Sequence, residues 1–203
     1  MLISQTDQVR ISAAIAEAER KTSGEIVAVV TGASDSYLYI ALLWAALSAL
    51  LVPLPLIYLT KWPVQHIYAL QLATFACVAL LLQWRPLRMR LVPGPVKRGR
   101  AHRNAMEQFL VQDLHTTKGR TGVLIFVSVA ERFVEVIADE GIHQKVRPGL
   151  WDDVVRDLTD HIKRGEAGDG FVRAVGECGA VLAEHFPPDG SDEDELPNHL
   201  IVI

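Results

Sequence analysis

The stretch "TGVLIFVSVAERFVEVIADEGI", residues 121–142, decides how the chain is to be folded. Gly122 to Val129 is a continuous apolar, β-branched run, the pattern of a strand covered on both faces. "AERF" (130–133) is a tight connection, and "FVEVIAD" (133–139) alternates like a second strand. Two strands joined so closely read as a β-hairpin. The chain then turns sharply at Asp139, Glu140 and Gly141, and "GIHQKV" suggests a short helical turn.

Working outward, each flank adds a helix or strand to this hairpin. "SQTDQVRISAAIAEAERKTS" (4–23) places Val9, Ile11, Ile15 and Ala18 on one helical face, with Ser4 as N-cap and Asp7 at the capping-box position. "GEIVAVVTG" (24–32) is a short buried strand between two glycines. On the other side of the apolar block described below, residues 102–115 read as a helix through Ala105, Met106, Phe109, Leu110 and Leu114. After the hairpin, "GLWDDVVRDLTDHIKRG" (149–165) is amphipathic, and Phe171, Val175, Cys178, Val181 and Leu182 line a last helix that stops at Pro187. "EAGDG" (166–170) reads as a loop. The expected fold class is α/β, a small mixed β-sheet flanked by helices, with ample chain for one core.

That domain is interrupted. Half of the residues are hydrophobic and the mean hydropathy is positive although 22% of residues are charged, so an apolar block sits beside an ordinary soluble part. "SYLYIALLWAALSALLVPLPLIYLT" (36–60) carries no charge. As a helix, Tyr37 to Leu59 spans about 34 Å at ~1.5 Å per residue, enough for a hydrocarbon core of about 30 Å. A second charge-free stretch runs over residues 62–84, and only "TKWP" separates the two, which implies a transmembrane helical hairpin. Tyr37, Tyr58, Trp62 and Trp84 stand near its ends, where interfacial aromatics belong.

Charge sets the expected orientation. Arg85, Arg88, Arg90, Lys97, Arg98, Arg100 and Arg103 follow the second helix with no acid until Glu107, whereas the tight turn holds only Lys61. Basic flanks stay on the cytoplasmic side, so the reading is an integral protein of the cytoplasmic (inner) membrane with both termini in the cytoplasm. The partners expected are the lipid bilayer, a membrane protein, and anionic lipid headgroups reached through Arg85, Arg88, Arg90, Lys97, Arg98 and Arg100. The divisions expected are 1–35 (first helix and strand), 36–84 (hairpin), 85–100 (basic juxtamembrane linker), 101–187 (remainder of the domain) and 188–203 (acidic tail). In the tail, Asp189, Asp192, Glu193, Asp194 and Glu195 are expected to be solvated, and "HLIVI" to dock or add an edge strand. No nucleic-acid partner is expected from a mild negative charge without basic–aromatic interleaving.

Sequence motifs for catalysis are scarce. There is no HExxH, GxSxG, P-loop or GxGxxG. Cys77 and Cys178 are far apart and form no CxxC, and Cys178 lies in an apolar stripe. Ser128 has no base beside it in sequence, and His143 reads as exposed. The acidic turn is the best candidate site. If strand 25–31 runs parallel to strand 122–129, then Ser23, Glu25, Asp139 and Glu140 lie at one sheet edge. Glu25, Asp139 and Glu140 are the candidate metal ligands, and oxygen donors of this kind suit calcium or magnesium. The competing reading has Asp139 capping a short helix, Glu140 solvated and Gly141 supplying turn geometry.

The segments "AIAEAERKTSGEIVAVV", "TGVLIFVSVAERFVEVIADEGI", "FVRAVGECGAVLAEHFP" and "DELPN" together resemble the TPM domain family, in its bacterial subgroup with an inserted two-helix transmembrane hairpin. The resemblance implies the layered fold read above. It implies either a non-catalytic binding or assembly module for a membrane protein complex, or, since some members are linked to phosphatase activity and calcium binding, a metal-dependent phosphatase-like hydrolase using the acidic edge. Many soluble members carry a glycine before the turn where this chain has Ala138-Asp139-Glu140-Gly141.

Overall fold

The computed structural model describes residues 2–117, 119–147, 149–188, 196 and 199–203. The side chain of His143 and the acidic residues Asp189, Asp192, Glu193, Asp194 and Glu195, all named above, lie outside the described residues. The chain divides into two compact units, Met1–Ser34 with Gly99–Ile203, and Asp35–Arg98.

In the first unit, four strands form one mixed sheet in the order β3-β2-β1-β4. Strand β1 (Glu25–Thr31) pairs in parallel with β2 (Gly122–Ser128), from Glu25 opposite Gly122 to Thr31 opposite Ser128. Strand β3 (Phe133–Ala138) returns antiparallel on β2, and the C-terminal β4 (Leu200–Val202) adds in parallel to β1. The apolar C-terminus is thus an edge strand. All residues of β1 and β2 are buried, because these two central strands have covered faces on both sides.

The faces divide by strand parity. Ile26, Ala28, Val30, Val123, Ile125 and Val127 point into a core built with α1 (Gln5–Glu19), α8 (Leu150–Arg164) and α9 (Ala167–His185). Val27, Val29, Leu124 and Phe126 point the other way, onto Ala105 and Phe109 of α6 (Gly94–Val111) and onto Leu114. Helix α1 starts as its sequence demands: Ser4 accepts from the Asp7 amide and Asp7 accepts from the Ser4 amide, which satisfies two end donors reciprocally.

Two elements depart from expectation. The basic stretch 85–100 is helical: α5 (Arg85–Leu91) is followed by the first turns of α6, which ends at Val111, before a 3-10 turn at Leu114–Thr116. Pro86 and Pro95 sit in first helical turns, where the missing N–H costs nothing. Helix α9 also begins earlier than expected, at Ala167, so "EAGDG" is almost entirely helical. The missing side chain at Gly168 admits Asp7 of α1, whose carboxyl occupies the space a Cβ would need.

The second unit is a helical hairpin. Helices α2 (Leu38–Leu51) and α3 (Pro53–Leu59) run on through Val52, which keeps right-handed helical geometry, and α4 (Val64–Leu81) returns. Ala41, Ala45 and Ala49 are buried along one stripe of α2, small residues that let α2 and α4 approach closely. Ser48, Thr60 and Thr74 each turn their hydroxyl back onto a carbonyl four residues earlier, at 2.7–2.8 Å. Leu38–Leu59 (22 residues) and Val64–Leu81 (18 residues) are long and apolar enough to cross a membrane, and only 22% and 6% of their most apolar windows are buried.

Because β1 is central although the hairpin follows it directly, Val27 (3% exposed) is a direct reporter of sheet assembly. Val27→Asp should destabilise the first unit by several kcal/mol, since it buries a charge with no partner. Chemical unfolding of the full chain in detergent measures this, and an unchanged transition would contradict the placement of β1.

Candidate functional site

The parallel pairing brings the starts of β1 and β2 to one edge, where the acidic turn also arrives. Glu25 lies opposite Gly122, and Asp139 donates its amide to the Gly122 carbonyl at 2.9 Å. Glu25 and Asp139 therefore flank the same residue, and both are 8% exposed. Across two strand spacings their backbones stand about 10 Å apart. The space between them on that face belongs to Leu114: a Cβ on Gly122 would lie 2.6 Å from the Leu114 carbonyl oxygen. The edge expected from the sequence is the edge observed, but Glu25 and the turn do not converge on one point. Among the described residues no group of three His, Cys, Asp or Glu side chains is placed to hold a metal ion.

The turn has its own partners. Asp139 caps α7 (Glu140–His143), accepting from the Glu140 amide at 2.7 Å. Arg120 reaches both acids, with Nε 3.6 Å from Asp139 Oδ2 and Nη1 3.7 Å from Glu140 Oε2. The Arg120 backbone takes a left-handed φ of 50° to bring its side chain here. The Ser23 carbonyl accepts from Thr121 Oγ1 at 3.1 Å. Gly141 plays a different part from the one expected. It is not among the positive-φ glycines. It is required because a Cβ there would stand 2.6 Å from the Arg120 oxygen and 2.7 Å from the Gly119 oxygen. The glycine lets α7 sit against the 119–120 backbone.

The opposite edge holds a cluster that sequence reading missed. Ser128, fully buried, donates its hydroxyl to Glu131 Oε2. Its proton being so used, Ser128 Oγ accepts from Ser34 Oγ at 2.8 Å. The Ser34 amide donates to Glu131 Oε1 at 3.1 Å. One carboxylate, itself 9% exposed, thus fastens the segment leaving β1 to the β2–β3 turn. The available signal was the Ser-x-x-Glu spacing around that turn, which sets a side-chain acceptor facing a strand-end hydroxyl. Full burial bars Ser128 from attacking a substrate. Cys178 is equally inert: burial pushes its thiol far above the ordinary range, so the thiolate that would react is not formed.

Residues 98–181 match the TPM domain. The TPM match takes in most of α6, then β2, β3, α7, α8 and most of α9; α1, β1, the helical hairpin and β4 lie outside it. Among solved structures, the NMR structure of the BA42 protein from the psychrophilic bacterium Bizionia argentinensis is similar at a TM-score of 0.62 and 21% identity, covering 99% of this chain and 95% of that one. A likeness at that identity shows the fold alone. Among curated proteins, none matches the chain.

Two substitutions test the two edges. Gly141→Ala should destabilise by about 1–3 kcal/mol, because the new methyl meets backbone that cannot yield without moving α7. Ser128→Ala should cost about 1–3 kcal/mol by taking the donor from a buried carboxylate. Thermal and chemical unfolding report both, and a neutral Gly141→Ala would show that α7 does not pack as described.

Proposed function

We propose that the chain is an integral protein of the cytoplasmic membrane that presents its TPM-like domain in the cytoplasm, with both termini inside, as a non-catalytic binding or assembly module for a membrane protein complex. The observation that carries this reading is the insertion itself. Two apolar helices with exposed leucines lie between β1 and α6 in the chain, so the domain would be tethered at two points rather than by one flexible stalk. The basic residues after α4, against a turn with Lys61 alone, support the orientation. The two sheet edges support the non-catalytic part. Arg120 stands at ion-pair distance from Asp139 and Glu140, 3.6 and 3.7 Å, and the Ser128 hydroxyl is spent on Glu131. A hydrolase using calcium or magnesium at the acidic edge would need Glu25, Asp139 and Glu140 to share an ion, and Leu114 stands between them.

The test combines topology with turnover. In a Cys77→Ala background, Lys61→Cys should react with an impermeant thiol reagent on intact cells, and Asp152→Cys only after permeabilisation. Labelling of Asp152→Cys in intact cells would refute the orientation. The purified chain should hydrolyse phosphate monoesters no faster than its Asp139→Asn variant, with or without calcium or magnesium. In mild detergent extracts of native membranes it should migrate within a larger assembly. Metal-dependent turnover lost in Asp139→Asn would replace the module reading with the hydrolase.

A further inference from the structure

We propose that the junction of α4 and α5 binds the phosphate of an anionic lipid headgroup, with Arg88 as its anchor; the proposal rests on the membrane reading above. The starting observation is a charge the protein itself leaves unmatched. Arg88 is 6% exposed. Its Nη1 donates to the Leu82 carbonyl at a long 3.4 Å, and its buried Nε has no acceptor. Among the described residues no carboxylate lies within ion-pair distance of it. An arginine cannot shed its charge to relieve burial, and a buried charge without a partner is costly. Capping the end of α4 uses one donor of five, and the buried Nε is left without an acceptor.

The surroundings narrow the missing partner to an anion. Within Asp35–Arg98 the basic residues are Lys61, Arg85, Arg88, Arg90, Lys97 and Arg98, against the single acid Asp35. That acid accepts from the Tyr37 amide at 3.1 Å. The positive excess is therefore local, in a chain whose net charge is -4. Arg85 and Arg88 are three apart on α5 and share a face. A guanidinium offers Nε–H and Nη–H as a parallel pair that fits two phosphate oxygens.

Position then favours a lipid over free phosphate. Arg88 lies seven residues beyond the apolar span that ends at Leu81, and Leu81 and Trp84, 62% and 69% exposed, flank the junction. That is the order of residues at a bilayer interface, acyl-contacting leucine, headgroup-level tryptophan, then basic residues. A headgroup with net negative charge fits the surrounding arginines, whereas a zwitterionic one brings its own cation into them.

The test uses the full chain in detergent, titrated with phosphatidylglycerol, phosphatidylcholine or inorganic phosphate while its melting temperature is followed. Phosphatidylglycerol should raise the melting temperature saturably, and phosphatidylcholine and inorganic phosphate should not at the same concentrations. Arg88→Gln should weaken the phosphatidylglycerol response about tenfold, the scale of a lost charge-assisted hydrogen bond, while Lys61→Gln leaves it intact. If Arg88→Gln fails to fold, Arg88→Lys decides: it keeps the charge, loses the fork and should still weaken the response. An equal response to both lipids, or an Arg88 variant that responds like the parent, overturns the proposal. Inorganic phosphate reproducing the response overturns the lipid assignment. Alkaline extraction from vesicles separates the two levels: a chain that is extracted refutes the membrane reading, and one that stays inserted without preferring phosphatidylglycerol refutes this site alone.

Discussion

The parallel pairing of β1 with β2 is the constraint on which the rest depends. It runs in register over seven residue pairs and joins segments separated by roughly ninety residues, a closure whose entropic cost grows only slowly with length. A folded hairpin lowers that cost further, because an insert that is itself compact holds its ends in a restricted geometry. The pairing also sets what the edges contain. It brings Glu25 to Gly122 and hence to the acidic turn, and it brings Ser34 to Ser128 and Glu131. The central strands are apolar on successive residues because each side of the sheet carries helices.

Much of the fold is legible in the residues because its signals are local. The capping box at Ser4 and Asp7, the continuous apolar run 122–128, and the stripe from Phe171 to Leu182 each name an element without reference to any other. The helical character of 85–100 is not legible in this way. It depends on prolines falling in first turns, and a proline at the start of a helix looks in sequence like one that ends it. Gly141 shows the same limit at finer scale. Its need for a glycine arises from the approach of the 119–120 backbone, about twenty residues away in sequence, and no periodicity encodes that.

The acidic edge was half legible. Strand direction follows from alternation and turn length, so Glu25 and Asp139 belong at one edge. Whether they meet depends on what fills the space over Gly122, and that is Leu114 from a 3-10 turn whose place the pattern does not give. Arg120 is likewise invisible beforehand, since its reach to both acids depends on a left-handed backbone at a non-glycine residue. The Ser128–Glu131 pair is not legible as neighbours in sequence, because the turn after β2 brings the carboxylate back to a serine three residues earlier.

The most direct measurement is hydrogen exchange of the full chain in lipid nanodiscs, compared between residues 25–31 and 122–128. If β1 and β2 form one core across the inserted hairpin, their amides should exchange together and only through the largest opening the domain undergoes. Amides of residues 25–31 exchanging orders of magnitude faster than those of 122–128 would contradict the account, since the strand before the hairpin would then be an accessory to the domain and not its centre.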